Sequence, residues 1–150
     1  MAPTGSRTLR LPMFIHAPPK RVFKWISDPE RIPRWLCDSA SLSARKGGRY
    51  TLAWKDGPSH AGRVLEFSRG SGLTLSWQWP GKEDLGVTKL RLSVQPKRAG
   101  TVLRFTHSGF RRSPEWDELY EGAVRGWTYF MMNLKSVLEG GRDLRSPYDW

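Results

Sequence analysis

SPEWDELYEGAVRGWTYFMMNLKSVLEGG, residues 113–141, decides the fold. Ser113 is a good N-cap, and Pro114 suits a first turn, where its missing N–H costs nothing. Glu115, Asp117 and Glu118 favour the positive end of a helix dipole. Trp116, Tyr120, Ala123, Trp127, Phe130, Leu134 and Leu138 then recur at steps of three and four, with Leu119, Val124, Met131 and Val137 widening the stripe. Glu118, Glu121, Arg125, Asn133, Lys135 and Ser136 read as the solvated side. Gly140-Gly141 closes the pattern. The spacing predicts an amphipathic helix of about 25 residues, about 38 Å long. Each large side chain on the stripe contributes about 1.5–3 kcal/mol when buried, so the helix needs an apolar surface to cover.

The sequence before it supplies one. From Ser41 to His107, turn signals recur at Gly47-Gly48, Asp56-Gly57-Pro58, Gly70-Ser71-Gly72, Pro80-Gly81 and Arg98-Ala99-Gly100. The runs between them alternate: Tyr50, Leu52 and Trp54; Leu73, Leu75, Trp77 and Trp79; Leu90, Leu92 and Val94; Leu103 and Phe105. This is the signature of a meandering antiparallel sheet with one buried face. Further upstream, Thr8 to His16 reads as a strand, and Pro19 opens a short helix whose Val22, Phe23 and Ile26 face inward. Asp28 caps a second short helix, Glu30 to Leu36. The order is strand, two short helices, about six strands and a long helix: an α+β domain.

Composition narrows the function classes. The 150 residues suit one domain. The single cysteine, Cys37, excludes an intramolecular disulfide and a multi-cysteine metal site. Met1 to Ser6 carries no apolar signal region, and no run approaches the ~20 apolar residues of a membrane span, so the expectation is a cytoplasmic protein. The net charge is +11, but the cations are scattered, without a run of five or six; the sequence alone therefore argues against a dedicated nucleic-acid role.

Several phrases resemble one superfamily in their order along the chain. Val22-Phe23-Lys24-Trp25-Ile26-Ser27-Asp28-Pro29 followed by Trp35 resembles the first helix pair of the SRPBCC (START/Bet v-like, helix-grip) proteins. More narrowly it is similar to activator of heat-shock protein 90 ATPase homologue-like (AHSA-like) domains. Gly47-Gly48-Arg49-Tyr50, the strands at 62–67 and 73–77, the stretch 100–110, and Gly126-Trp127 with Leu134-Lys135 and Leu138 continue the match, from about Leu9 to Gly140. The resemblance implies a helix-grip fold, with a curved antiparallel sheet of six to seven strands wrapped around the C-terminal helix. It frames a flexible N-terminal tail at 1–7, the domain at 8–140 and a polar C-terminal tail at 141–150, where Tyr148 and Trp150 are candidates to dock back. It also implies a cavity for a small hydrophobic or lipid-like ligand, and a chaperone partner by analogy with the namesake. Monomer and homodimer stay open.

Candidate lining residues are Trp54, Trp77, Trp79, Leu92, Phe105, Tyr120, Trp127, Phe130 and Met131, with His107 as polar anchor. Eight Trp and few polar handles suit a concave apolar pocket, or equally a filled core. Three functions follow: a non-catalytic binder of a hydrophobic or aromatic ligand; a cyclase/aromatase- or hydrolase-type enzyme using His107, with Glu66 if that residue points inward; and a co-chaperone-like or anion-binding interaction module. His107 shares the parity of Phe105 and should face the interior, His16 is structural, and His60 lies in a turn, exposed. Glu66 is expected outward, paired with a neighbouring Arg. No metal-ligand spacing is present, and no cofactor is called for.

Overall fold

The structure, a computed structural model, describes residues 6–145. Strand β1 (Arg7–Ile15) is followed by helix α1 (Pro19–Ser27) and a single 3-10 turn (Ile32–Arg34). Strands β2 (Ser39–Leu42), β3 (Arg49–Ala53), β4 (Ser59–Ser68), β5 (Gly72–Trp77), β6 (Thr88–Lys97) and β7 (Gly100–Phe110) precede helix α2 (Pro114–Leu138). All seven strands pair antiparallel in the order β1-β7-β6-β5-β4-β3-β2. The sheet curves round α2, with register shifts at Arg7/Thr8 and between Val64 and Glu66. This is the α+β helix-grip architecture that the sequence implies.

The α2 boundaries follow from its caps. Ser113 Oγ accepts from the Trp116 amide at 3.1 Å, with Pro114 behind it. At the other end Gly140 takes φ +84°, and the Gly141 amide reaches back to the Ser136 carbonyl at 2.7 Å, a glycine-terminated stop. Trp116, Trp127, Met131, Leu134 and Leu138 are buried from this helix. Trp127, Met131, Leu134 and Leu138 share one core with Tyr50, Leu52, Leu75, Leu90, Leu103 and Phe105 from the sheet, while Trp116 packs on Trp79 and Phe110. One glycine sets this interface. A Cβ on Gly62 would stand 2.6 Å from Ser76 Oγ and 2.8 Å from the Tyr50 ring. Its absence lets Tyr50 lie flat and donate to the Ser76 carbonyl at 2.6 Å.

Three local expectations change. The second short helix shrinks to one 3-10 turn, Ile32–Arg34, in whose first turn Pro33 sits and supplies no amide to a preceding turn. Trp54 and Trp79 lie just beyond the ends of β3 and β5 rather than within strands. His60 is not an exposed turn residue: it sits on β4, 7% exposed, with its ring stacked on Trp77 at 4.1 Å.

Candidate functional site

The interior between sheet and α2 holds a small, wholly apolar void of about 30 Å³. The 3-10 segment supplies Ile32, Trp35 and Leu36 to its wall, and α2 supplies Trp127 and Met131. Tyr50, Leu52, Leu75, Leu90 and Leu92 form the sheet side, with Ile26 and Leu42 at the margins. A void of that size holds about one water, whereas ligand pockets start near 300 Å³. Tyr50 brings no free polar handle, since its hydroxyl is engaged by Ser76 and burial pushes its ionisation well above the usual range.

Of the ten residues singled out from the sequence, Leu92, Trp127 and Met131 line this void. The others build a continuous chain of rings beside it. Trp127 contacts Phe105 at 4.9 Å and Trp77 at 5.4 Å, and Phe130 lies 6.0 Å from Trp54. Trp79 stacks on His107 at 5.8 Å, and Tyr120 meets Phe110 edge-on at 5.1 Å. Rings occupy the space that the parity of the strands leaves for a cavity. The sequence set did not include the other lining residues, which are Leu42, Tyr50, Leu52, Leu75 and Leu90 on the sheet side and Ile26, Ile32, Trp35 and Leu36 from α1 and the 3-10 segment. Their inward spacing is legible, but their meeting with α2 is long-range.

His107 points inward and is 0% exposed. Its Nε2 lies 2.7 Å from Thr88 Oγ1, and that hydroxyl donates to the Trp77 carbonyl at 3.2 Å. With the hydroxyl proton so used, the ring donates from Nε2. Nδ1 is then a bare acceptor without a partner among the described residues. Burial among Trp77, Trp79 and Phe110 holds the imidazole neutral, with its pKa down to about 3. His107 does not line the void. Glu66 faces the other side of the sheet, exposed, 3.4 Å from Arg91. His107 and Glu66 share no space in which to act on one substrate.

A polar latch closes the wall of the void. Asn133 on α2 is 0% exposed, although the helical period assigns it to the solvated side. The period sees only the sheet, and that flank of α2 is covered by two other segments. Asn133 Nδ2 donates to the Trp35 carbonyl at 3.0 Å and to Asp143 Oδ1 at 2.9 Å, while its Oδ1 accepts from the Leu144 amide at 2.6 Å. Arg145 donates to the carbonyls of Cys37 at 3.1 Å and Pro33 at 3.0 Å, and holds the Asp143 carboxylate with two nitrogens. Those bonds keep Asp143 below the usual carboxylate range. Trp54 Nε1 adds a bond to the Leu36 carbonyl at 3.0 Å. The chain after α2 therefore straps residues 33–37 onto the helix. Tyr148 and Trp150, candidates for docking back, lie outside the described residues. Cys37 Sγ is buried under the same strap, its pKa raised by burial to about 11.

Among the described residues no group of three or more His, Cys, Asp or Glu is placed to hold a metal ion, and no helix is long and apolar enough to cross a membrane.

The family model described as Activator of Hsp90 ATPase homolog 1-like protein matches residues 16–139. No curated protein matches. Among solved structures, a protein from Mesorhizobium loti superposes with TM-score 0.80 at 24% identity, over 89% of this chain and 98% of that one. An AHSA1-like protein from Rhizobium etli does so with TM-score 0.70 at 26% identity, over 100% and 92%. The Aha1 dimer from Colwellia psychrerythraea gives TM-score 0.78 at 17% identity, over 90% and 98%.

Proposed function

This chain belongs to the Activator of Hsp90 ATPase homolog 1-like protein family, and from that premise we propose that it is a non-catalytic binder of a small apolar or aromatic molecule between sheet and α2. The observation that carries the reading is the apolar void at that interface, walled on one side by a segment tied down by side chains rather than by a strand. The void as it stands admits no ligand, so binding requires residues 33–37 to swing off α2. The segment is held by a handful of hydrogen bonds, each worth about 0.5–1.5 kcal/mol net, and by the burial of Trp35, Leu36 and Cys37 in the core, so a ligand has to replace that apolar contact as well as the bonds. Trp77, Trp127, Phe130 and Phe105 then form the flat walls, and the unpartnered Nδ1 of His107 lies behind Trp77 as a hydrogen-bond acceptor.

Native mass spectrometry of protein purified without added ligand, together with titration of an apolar dye, tests the reading. The expected result is a co-purifying small molecule, or saturable dye binding that strengthens in Arg145→Ala, where the strap is loosened. Absence of both adduct and dye binding in the wild type and in that variant refutes it.

The ring-filled interior favours a second reading: a co-chaperone-like module that acts through its surface, as the family description suggests. Stimulation of an Hsp90-type ATPase by the purified chain separates the two. A binder of small molecules alone leaves that ATPase unchanged.

A further inference from the structure

The scattered cations of the sequence are gathered by strand register onto the outer face of the sheet, opposite α2. In one row across the strands Arg49 pairs with Arg63, whose amide meets Ser76 Oγ at 2.9 Å, and Ser76 leads on to Lys89, Ser108 and Thr8. The next row runs Glu66, Thr74, Arg91, Thr106, Arg10. A third runs Ser68, Gly72, Ser93, Arg104, Pro12. All six cations in these rows are exposed, and Glu66 is the single carboxylate among them. From Arg10 on β1 to Arg49 on β3 is five strand steps, about 24 Å at about 4.8 Å each. Arg49 directly opposite Arg63 is a pairing that costs stability in the free protein, and a bound anion relieves it. Beside these rows an open groove of about 830 Å³ is lined by Lys46, Arg91, Arg104, Ser71, Ser93 and Gln95, with Glu66, Phe67 and Val94 also on its wall.

We infer that this face binds the phosphate backbone of duplex nucleic acid, without reading its sequence. Arg, Lys, Ser and Thr are the side chains that donate to phosphate oxygens, and here they alternate at strand spacing. The exposed large apolar residues among those described, Val87, Met132 and Leu144, lie off the rows. An acidic protein partner would call for aromatic anchors at the centre of its contact, and a membrane surface for apolar insertion. Single strands would call for stacking platforms, and the three rows carry no aromatic side chain. The sequence lacks a basic run; the register supplies the cluster that a run would otherwise provide. The inference concerns the outer face and stands independently of the interior.

Fluorescence anisotropy of a labelled 20-base-pair DNA duplex, across a salt series, tests it with the full chain. Six phosphate contacts predict a log–log salt slope of about −5, so that affinity falls about 10³-fold between 50 and 200 mM salt. Arg63→Gln, Lys89→Gln and Arg91→Gln together should flatten the slope by about 2.7. A charge-matched set on α1, which packs on the inner face (Lys20→Gln, Arg21→Gln and Lys24→Gln), should leave it unchanged. Should the first set not fold by circular dichroism, the single variants are read instead, each with an expected loss of about 0.9 in slope. The inference is overturned by absence of binding at low salt or by equal flattening in both sets, which would mean attraction by net charge alone. Tighter binding to polyglutamate or to phosphatidylserine vesicles than to the duplex also overturns it.

Discussion

Acid should unfold this protein through His107. The imidazole ionises near pH 6.5 when the chain is unfolded, but only near pH 3 inside the aromatic cluster, because burial disfavours the cation. Since the folded pKa is the lower one, the unfolded chain binds more protons at mildly acidic pH, and stability rises with pH. The contribution is complete above pH 6.5 and is lost as pH falls toward 3. Linkage over that gap amounts to about 5 kcal/mol at its limit, and to about 2 kcal/mol between pH 7 and pH 5. That is a large part of the 5–15 kcal/mol typical of a domain. His60, also held below its usual value by burial, adds in the same direction. Urea unfolding followed by tryptophan fluorescence at pH 7 and pH 5, in wild type and in His107→Gln, isolates the His107 share. Gln keeps a donor for Thr88 and does not titrate, so the variant should lose about 2 kcal/mol less than wild type on going to pH 5. The same pH dependence in both proteins would refute the assignment of a neutral, buried His107.

Other outcomes follow from the latch and the core. Asn133→Ala leaves the Trp35 carbonyl and the Leu144 amide without their partner. It should cost about 1–3 kcal/mol in urea unfolding and speed hydrogen exchange across residues 33–37; unchanged exchange there would mean the strap does not hold that segment. Leu134→Ala, at a position with 0% exposure, should cost about 2–5 kcal/mol, read from the same unfolding curves. Cys37, with its thiol raised to about 11 and covered by the Arg145 strap, should react with a disulfide reagent at pH 8 far more slowly in the native protein than in urea, and faster in Arg145→Ala than in wild type.

Most of the fold is written in local periods. The Trp116–Leu138 stripe, the Ser113 cap and the Gly140 stop each act over one or two turns, and strand parity aims His107 and Leu92 inward; the parity of the Glu66 strand is not legible in the sequence, because a register shift between Val64 and Glu66 interrupts it, and the structure turns Glu66 outward. Trp54 and Trp79 lie past the ends of their strands yet still pack inward, on Phe130 and His107, so the alternation there outlasts the ladder. Parity leaves open how much space the inward rings consume. The period misplaces Asn133 because a helical wheel has no knowledge of the chain that later crosses the helix.

The sequence by itself determined that a long amphipathic helix closes an antiparallel sheet over an aromatic interior, because burial of a stripe and of one strand face is dictated by spacing of 3.6 and 2. Only the tertiary structure decided three further things: that the rings fill the interior to a void of about 30 Å³, that residues 141–145 strap the 33–37 wall to α2, and that cations as distant as Arg10, Arg63 and Arg91 share one face. Each depends on the register between segments remote in the chain, and register is fixed by the joint packing of all seven strands on one helix rather than by any local run of residues.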